Sequence, residues 1–132
     1  MSTAVTQGVR VDVHSRYVPE ESSPAGDHYF FAYTVRISNE GDSPVQLLSR
    51  HWIITDSRGR IEHVRGAGVV GQQPALEPGQ AFEYTSACPL TAPYGTMHGT
   101  YHMVREDGSS FEAEIGPFEL LGPDDRIARV LN

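Results

Sequence analysis

The chain has 132 residues, of which 39% are hydrophobic, and this size and composition predict one folded domain with a single core. Its formal net charge is −7, and all ten basic residues are arginines scattered along the sequence. Because nucleic-acid binding depends on clustered cations, this distribution argues against a nucleic-acid-binding protein.

Apolar and polar residues alternate along several segments, a pattern typical of half-buried β-strands. The predicted strands are residues 9–13, 29–37, 45–56, 81–87, 97–103 and 111–115. Residues 45–56, VQLLSRHWIITD, are apolar on both faces, which favours a central strand. IEHVR, just before a glycine-rich segment, could form a further strand. No long window repeats apolar residues at helical spacing without Gly or Pro, so we expect almost no helix.

Turn-forming residues separate the predicted strands, in the segments SSPAGD, NEGDSP, DSRG, LEPG and EDGS. Pro78 and Gly79 fit the centre of a type II turn, and Asp107 with Gly108 fits a hairpin. Short strands joined by such turns predict an all-β sandwich of about seven strands. We expect the domain to span residues 8–122, with a flexible N-terminus at 1–7 and a tail at 123–132.

The segment GAGVVG, which starts at Gly66 and ends at Gly71, has the glycine spacing of a dinucleotide-binding loop. Such a loop holds pyrophosphate only where it leads into a helix. Here QQPALEPGQ follows, and its two prolines would break a helix, so the glycines are expected to permit a bulge or crossover. A second interpretation stays open, in which Arg65 and the loop amides of Gly66, Gly68 and Gly71 hold a phosphate or carboxylate.

The blocks HWIITD, GAGVVGQQPALEPG, FEYTS and GTMHGTYHM, in this order and spacing, resemble the bacterial ApaG family along nearly the whole chain. The resemblance implies a sandwich of the fibronectin type III or immunoglobulin-like kind. It also implies an association with cobalt and magnesium resistance or efflux, with no established catalytic residues. Related domains in eukaryotic F-box proteins and in a protein that interacts with a DNA polymerase look like interaction modules. A fold alone does not supply a mechanism.

Six histidines make a metal site a hypothesis to consider, with His98 and His102 as the candidates. A strand would place both on one face but about 13 Å apart, at ~3.3 Å per residue. A single ion would therefore need further ligands from a neighbouring strand, and the alternative is a solvent-facing strand surface. His51 is expected on the opposite strand face from Trp52 and Asp56, which excludes a His–Asp catalytic pair unless a bulge intervenes.

The only cysteine, Cys88, is expected to be a small buried hydrophobic residue and suits a reducing compartment. The N-terminal residues do not form an export signal, and no apolar stretch could span a bilayer. We therefore expect a cytoplasmic protein without membrane insertion. Tyr17, Tyr94 and Tyr101, together with uncovered strand edges, could present a surface to a partner.

These patterns favour a binding or interaction module that is not an enzyme and has no cofactor. Its protein partner cannot be named from the sequence, and a homodimer is possible because strand edges pair readily. By the family resemblance, its context would be tolerance of divalent cations. The alternative is a small-ligand module that holds a phosphate, a nucleotide or a divalent cation near Arg65 and the glycines that follow it.

Overall fold

The computed structural model describes residues 1–123, which form nine β-strands in two antiparallel sheets. The strands are β1 (Ser2–Thr6), β2 (Val9–Tyr17), β3 (Tyr29–Asn39), β4 (Val45–Asp56), β5 (Ile61–Ala67), β6 (Ala75–Leu76), β7 (Ala81–Leu90), β8 (Tyr94–Arg105) and β9 (Ser110–Leu121). Between residues 1 and 122, helix is confined to two short 3-10 turns, Pro19–Glu21 and Pro24–Gly26. The prediction of an all-β sandwich with almost no helix is confirmed.

One sheet has the strand order β1-β2-β3-β7, and the other has the order β5-β4-β8-β9, with β6 also paired to β4. The chain crosses from one sheet to the other between β3 and β4, between β6 and β7, and between β7 and β8. This is the layered arrangement that the resemblance implied. Within the described part of the chain, no helix is long and apolar enough to cross a membrane.

Alternate side chains of the strands fill the space between the sheets, as the period-two pattern predicted. Trp52 lies near the centre of this core at 2% exposure. Its ring meets Tyr33 at a centroid distance of 5.3 Å and Phe118 at 5.9 Å, both in edge-on geometry. Aromatic rings favour such edge contacts, so Trp52 links the two sheets.

The turns form where the sequence predicted them. The Gln80 amide donates to the Glu77 carbonyl (2.9 Å), and Gly79 has φ +88°, as a type II turn requires. In the β8–β9 hairpin, Gly108 has φ +85° and its amide donates to the Arg105 carbonyl (3.0 Å). Glycine adopts this left-handed conformation without a steric penalty, which fixes the position of each turn.

The N-terminal residues form a strand, so the prediction of a flexible segment at residues 1–7 was wrong. β1 pairs with β2 from Ser2 opposite Val13 to Thr6 opposite Val9. The side chains of Ser2, Ala4 and Thr6 are half-buried, whereas Val5 is 57% exposed. Because the inner face is small and polar, apolar alternation gave no signal for this strand. Of the predicted tail, residues 124–132 lie outside the described residues.

The two sheets are joined along one side of the sandwich. There the Glu114 amide on β9 donates to Thr6 Oγ1 (3.0 Å), and the Ser15 hydroxyl donates to the Glu119 carbonyl (2.7 Å). On the opposite side the edge strands are β5 and β7, and within residues 1–123 they pair only with β4 and β3. We call β5, β7 and the cleft between them the open side.

Candidate functional site

The glycine-rich segment forms a strand end followed by a tight turn. Gly66 belongs to β5 and lies opposite Arg50 on β4. Val69 and Gln72 exchange two backbone hydrogen bonds of 2.8 and 2.9 Å, and the segment then leads into β6. The short strand β6 follows the glycine segment at the place where a dinucleotide-binding loop would need a helix, as the two prolines predicted.

Each glycine of this segment has a separate structural reason. Gly68 and Gly71 have φ +64° and +78°, a region that side chains rarely adopt. A Cβ added at Gly68 would lie 2.3 Å from the Gln72 carbonyl oxygen, and one at Gly66 would lie 2.9 Å from the guanidinium carbon of Arg50. The prediction that the glycines serve the backbone is confirmed at Gly68 and Gly71, while Gly66 makes room for an arginine.

Arg50 fastens the glycine turn to β4. Its Nη1 donates to the Ala67 carbonyl (3.0 Å) and to the Gly68 carbonyl (2.8 Å). A register shift between Leu47 and Ser49 lets Leu47 and Arg50 both lie on the inner face of β4. Sequence reasoning missed Arg50, because this change of face comes from a bulge and not from the local pattern.

Four of the six histidines lie on the outer face of the five-stranded sheet: His51 on β4, His63 on β5, and His98 and His102 on β8. The last two share a solvent-accessible face, as predicted. His102 Nδ1 lies 3.0 Å from Glu112 Oε1 on β9. His98 lies opposite Ile53, which offers it no ligand. Across residues 1–123, no three or more His, Cys, Asp or Glu side chains are arranged to hold a metal ion. A metal at His98 and His102 stays a prediction.

His51 and His63 form a cross-strand pair that sequence reasoning missed. Their Nε2 and Nδ1 atoms are 2.9 Å apart, and their rings stack at a centroid distance of 5.2 Å. One nitrogen donates a proton to the other, so the pair favours at least one neutral ring. Loss of hydration, followed by the positive charges of Arg65 and His63, lowers the pKa of His51.

A shallow depression of about 340 Å³ on this face brings two of the predicted sites together. Its lining includes Arg65 and Gly66 from the glycine segment as well as His51 and His102. Arg65 is exposed and has no ion-pair partner among the described residues. Gly68 does not offer its amide to a ligand, because that amide donates to the Leu48 carbonyl (2.8 Å).

The remaining predicted ligand residues lie outside this depression. Neither Gly71 nor His98 belongs to its lining, so only part of each predicted set converges there. The polar groups that do converge include Arg65, two histidines and Glu112, while Arg50 reaches this edge from the inner face of β4. Such a surface suits a small anion better than a nucleotide, because it offers cations without a deep cavity.

The cleft of the open side has a volume of about 290 Å³ and continues into a pocket of about 160 Å³. Both cavities are lined by Ile54, Glu62 and Pro89, so they form one elongated groove between the sheets. The other residues of the larger cavity are Tyr33, Arg50, Trp52, Val64, Ser86, Ala87, Cys88 and Met97. Most are apolar, and Arg50 is the only cation of this larger cavity, whereas Arg60 and Asp56 line the smaller one. This groove was not predicted from the sequence, because it depends on the separation of β5 and β7 in the folded domain.

Two residues considered for chemistry have structural roles. Cys88 is 4% exposed, as predicted, and burial raises the pKa of its thiol to about 12, so it remains protonated at neutral pH. Asp56 is buried and its Oδ1 accepts the amides of Arg58 (2.9 Å) and Arg60 (3.0 Å). It therefore anchors the β4–β5 turn, on the opposite face from His51.

The tyrosine surface that the sequence suggested does not form. Tyr101 is fully buried and its hydroxyl is hydrogen-bonded to that of Tyr84. Tyr17 packs against Phe31 at a ring distance of 5.5 Å, and Tyr94 alone of the three is clearly exposed, at 41%. The prediction for Tyr101 was wrong because alternation along β8 places it on the same inward face as Met97 and Met103.

These features define a fibronectin type III-like sandwich with one open side and a histidine-rich outer face. The family model for the ApaG domain matches residues 19–105. Protein ApaG of Anaeromyxobacter dehalogenans (strain 2CP-C) is 57% identical over 123 residues, which cover 93% of this chain and 97% of that protein. Protein ApaG of Methylobacterium sp. (strain 4-46) is 58% identical over the full length of both chains.

A solved structure gives the same result. The crystal structure of a Bordetella pertussis protein described as ApaA matches with a TM-score of 0.85 at 59% identity. The match covers 87% of this chain and 94% of that one. The chain belongs to the ApaG family, as the sequence blocks indicated.

Proposed function

We propose that this chain is a non-catalytic binding module that holds a protein partner at its open side. Through that partner it would contribute to the cobalt and magnesium tolerance that the family resemblance implies. The observation that carries the proposal is the groove between β5 and β7, flanked by two edge strands whose outer backbone groups pair with no other described strand. The buried thiol of Cys88 is compatible with the reducing cytoplasm.

Uncovered strand edges are a hazard that proteins usually blunt or cover. On the joined side this chain covers its edges with β1 and with hydrogen bonds from Thr6 and Ser15. On the open side the edges flank a groove lined with core-type side chains such as Trp52 and Val64. An edge beside an apolar groove is how many small sandwiches bind partner segments, which supports the same use here.

The proposal is tested by site-specific cross-linking in cells. A photo-reactive amino acid replaces Glu62, which lines the groove, or in a matched control the exposed Glu114 on β9. We expect a cross-linked protein adduct from position 62 and none from position 114. Adducts from both positions, or from neither, would contradict partner binding at the open side. An adduct of two copies of the chain would identify the partner as a second subunit.

A second candidate function is the binding of a small anion in the depression on the outer face. It is favoured by Arg65, which has no ion-pair partner among the described residues, beside His51 and His102. Titration with inorganic phosphate, followed by amide NMR, would show saturable shifts at these residues. Arg65→Ala should abolish the shifts, whereas Arg16→Ala, at an exposed site on the other sheet, should leave them unchanged. The same titration with Co²⁺ tests His98 and His102.

A further inference from the structure

The backbone groups that β7 offers to a partner follow from its hydrogen bonds to β3. The Asn39 amide donates to the Gln80 carbonyl (2.9 Å), just before β7 begins. The Val18 amide, just after β2, donates to the Phe30 carbonyl (2.9 Å). In an antiparallel ladder, successive residues turn to opposite neighbours, so odd-numbered residues of β3 bond to β7. By the β3–β7 register, the amides and carbonyls of Glu83, Thr85 and Ala87 therefore face away from β3, towards solvent.

The other edge of the open side is obstructed. The Asp56 amide donates to the Arg60 carbonyl (3.0 Å), so by the same alternation the even-numbered residues of β5 bond to β4. The carbonyl of Ala67 therefore faces outward on β5. The Arg50 guanidinium lies across Gly66 and donates to this Ala67 carbonyl. A strand that approached β5 would have to displace Arg50. No side chain among residues 1–123 is hydrogen-bonded to the outer backbone of Thr85 or Ala87, so within that part of the chain β7 is the more accessible edge.

The groove gives the added strand a preferred pattern. A segment paired with β7 would point every second side chain into the groove, towards Trp52 and Val64. Arg50 lines the groove and has no carboxylate partner among residues 1–123, so an acidic side chain would pair with it. Glu62 stands on the same wall near Cys88 and would repel a second acid there.

We propose that the occupant of the open side is an extended peptide segment of the partner, paired with β7 as a fifth strand of the four-stranded sheet. Its inward side chains are apolar, apart from one acidic side chain that contacts Arg50. This inference rests on the proposed interaction function and specifies the partner's chemistry. A second copy of the chain is the less favoured occupant, because two chains that each carry a net charge of −7 repel one another.

The test selects peptides from a library of random nonapeptides displayed on phage, with the full chain as bait. We expect enriched sequences with apolar residues at every second position and an acidic residue among them. Ala87→Pro removes an outward amide and places a ring at the edge, so it should weaken the best synthetic peptide at least about tenfold. Ala87→Ser keeps the amide and should leave affinity within about twofold. Changing the acidic residue of the peptide to its amide should weaken binding about fivefold.

Several results would overturn the inference. These are no enrichment, enriched peptides without alternation, or a peptide whose affinity is unchanged by Ala87→Pro. A dimer that Ala87→Pro dissociates in sedimentation would assign the edge to a second copy instead. The two proposals fail separately, because a cellular cross-link at position 62 that persists in Ala87→Pro would leave partner binding standing and refute strand pairing.

Discussion

Substitution of Gly68 by alanine is expected to destabilise the fold much more than the same substitution at Gly71. Both residues have positive φ, at +64° and +78°, where an L side chain costs roughly 1–2 kcal/mol. At Gly71 the new Cβ would meet no atom within 4 Å, so the loss should stay near that value. At Gly68 the Cβ would lie 2.3 Å from the Gln72 oxygen. Relief of such an overlap adds about 1–3 kcal/mol.

Urea unfolding followed by circular dichroism measures both free energies of unfolding. We expect losses of about 2–5 kcal/mol for Gly68→Ala and about 1–2 kcal/mol for Gly71→Ala. Gly66→Ala should cost less than Gly68→Ala, because its Cβ would meet only the guanidinium of Arg50, 2.9 Å away, which can shift at the cost of its hydrogen bonds to Ala67 and Gly68. Equal losses at Gly68 and Gly71, or the largest loss at Gly66, would refute the backbone explanation of this glycine spacing.

Three further predictions concern buried or paired polar groups. Tyr84→Phe and Tyr101→Phe should each lower the free energy of unfolding by about 1–3 kcal/mol, because each leaves the other buried hydroxyl without its hydrogen-bond partner. In urea unfolding the double variant should lose less than the sum of the two single losses. Burial raises the pKa of both tyrosines and that of Cys88, so these groups lose their protons more readily in the unfolded chain. The free energy of unfolding should therefore fall as pH rises above 9, and a flat stability profile from pH 8 to 11 would contradict this. The pKa of His51 is lowered below 6.5, so the unfolded chain binds the proton first and stability should fall as pH drops below 6.5. Because Arg65 is one cause of this shift, Arg65→Ala should raise the pKa of His51 measured by NMR, and an unchanged pKa would contradict the contribution of Arg65.

The alternation of apolar residues was sufficient to predict the main strands because each of them buries one face. It failed for β1, whose inner face consists of Ser2, Ala4 and Thr6. That strand is held by pairing with β2 and by its contact with β9, neither of which leaves a local hydrophobic pattern. Strands of this kind become visible only when the register of the neighbouring strand is known.

The candidate surfaces were harder to predict, because each depends on contacts between strands. His51 and His63 are twelve residues apart, and only the β4–β5 register, with Ile53 opposite His63, makes them diagonal neighbours. The DSRG turn offered a signal, since a hairpin closed there fixes that register. Arg50 left no such signal, because the bulge near Leu47 decides which face it occupies. The groove depends on the separation of two edge strands, a property of the whole sandwich.

The N-terminal strand also limits how many molecules can join through strand pairing. A sheet can grow from molecule to molecule only if every molecule offers an acceptor edge at both ends. In this sandwich β1 closes one end against β9, so a strand added at β7 completes the sheet. On the proposed pairing at β7, residues 2–6 thus limit growth of the four-stranded sheet to one end, and a chain without them would have β2 as its terminal strand instead.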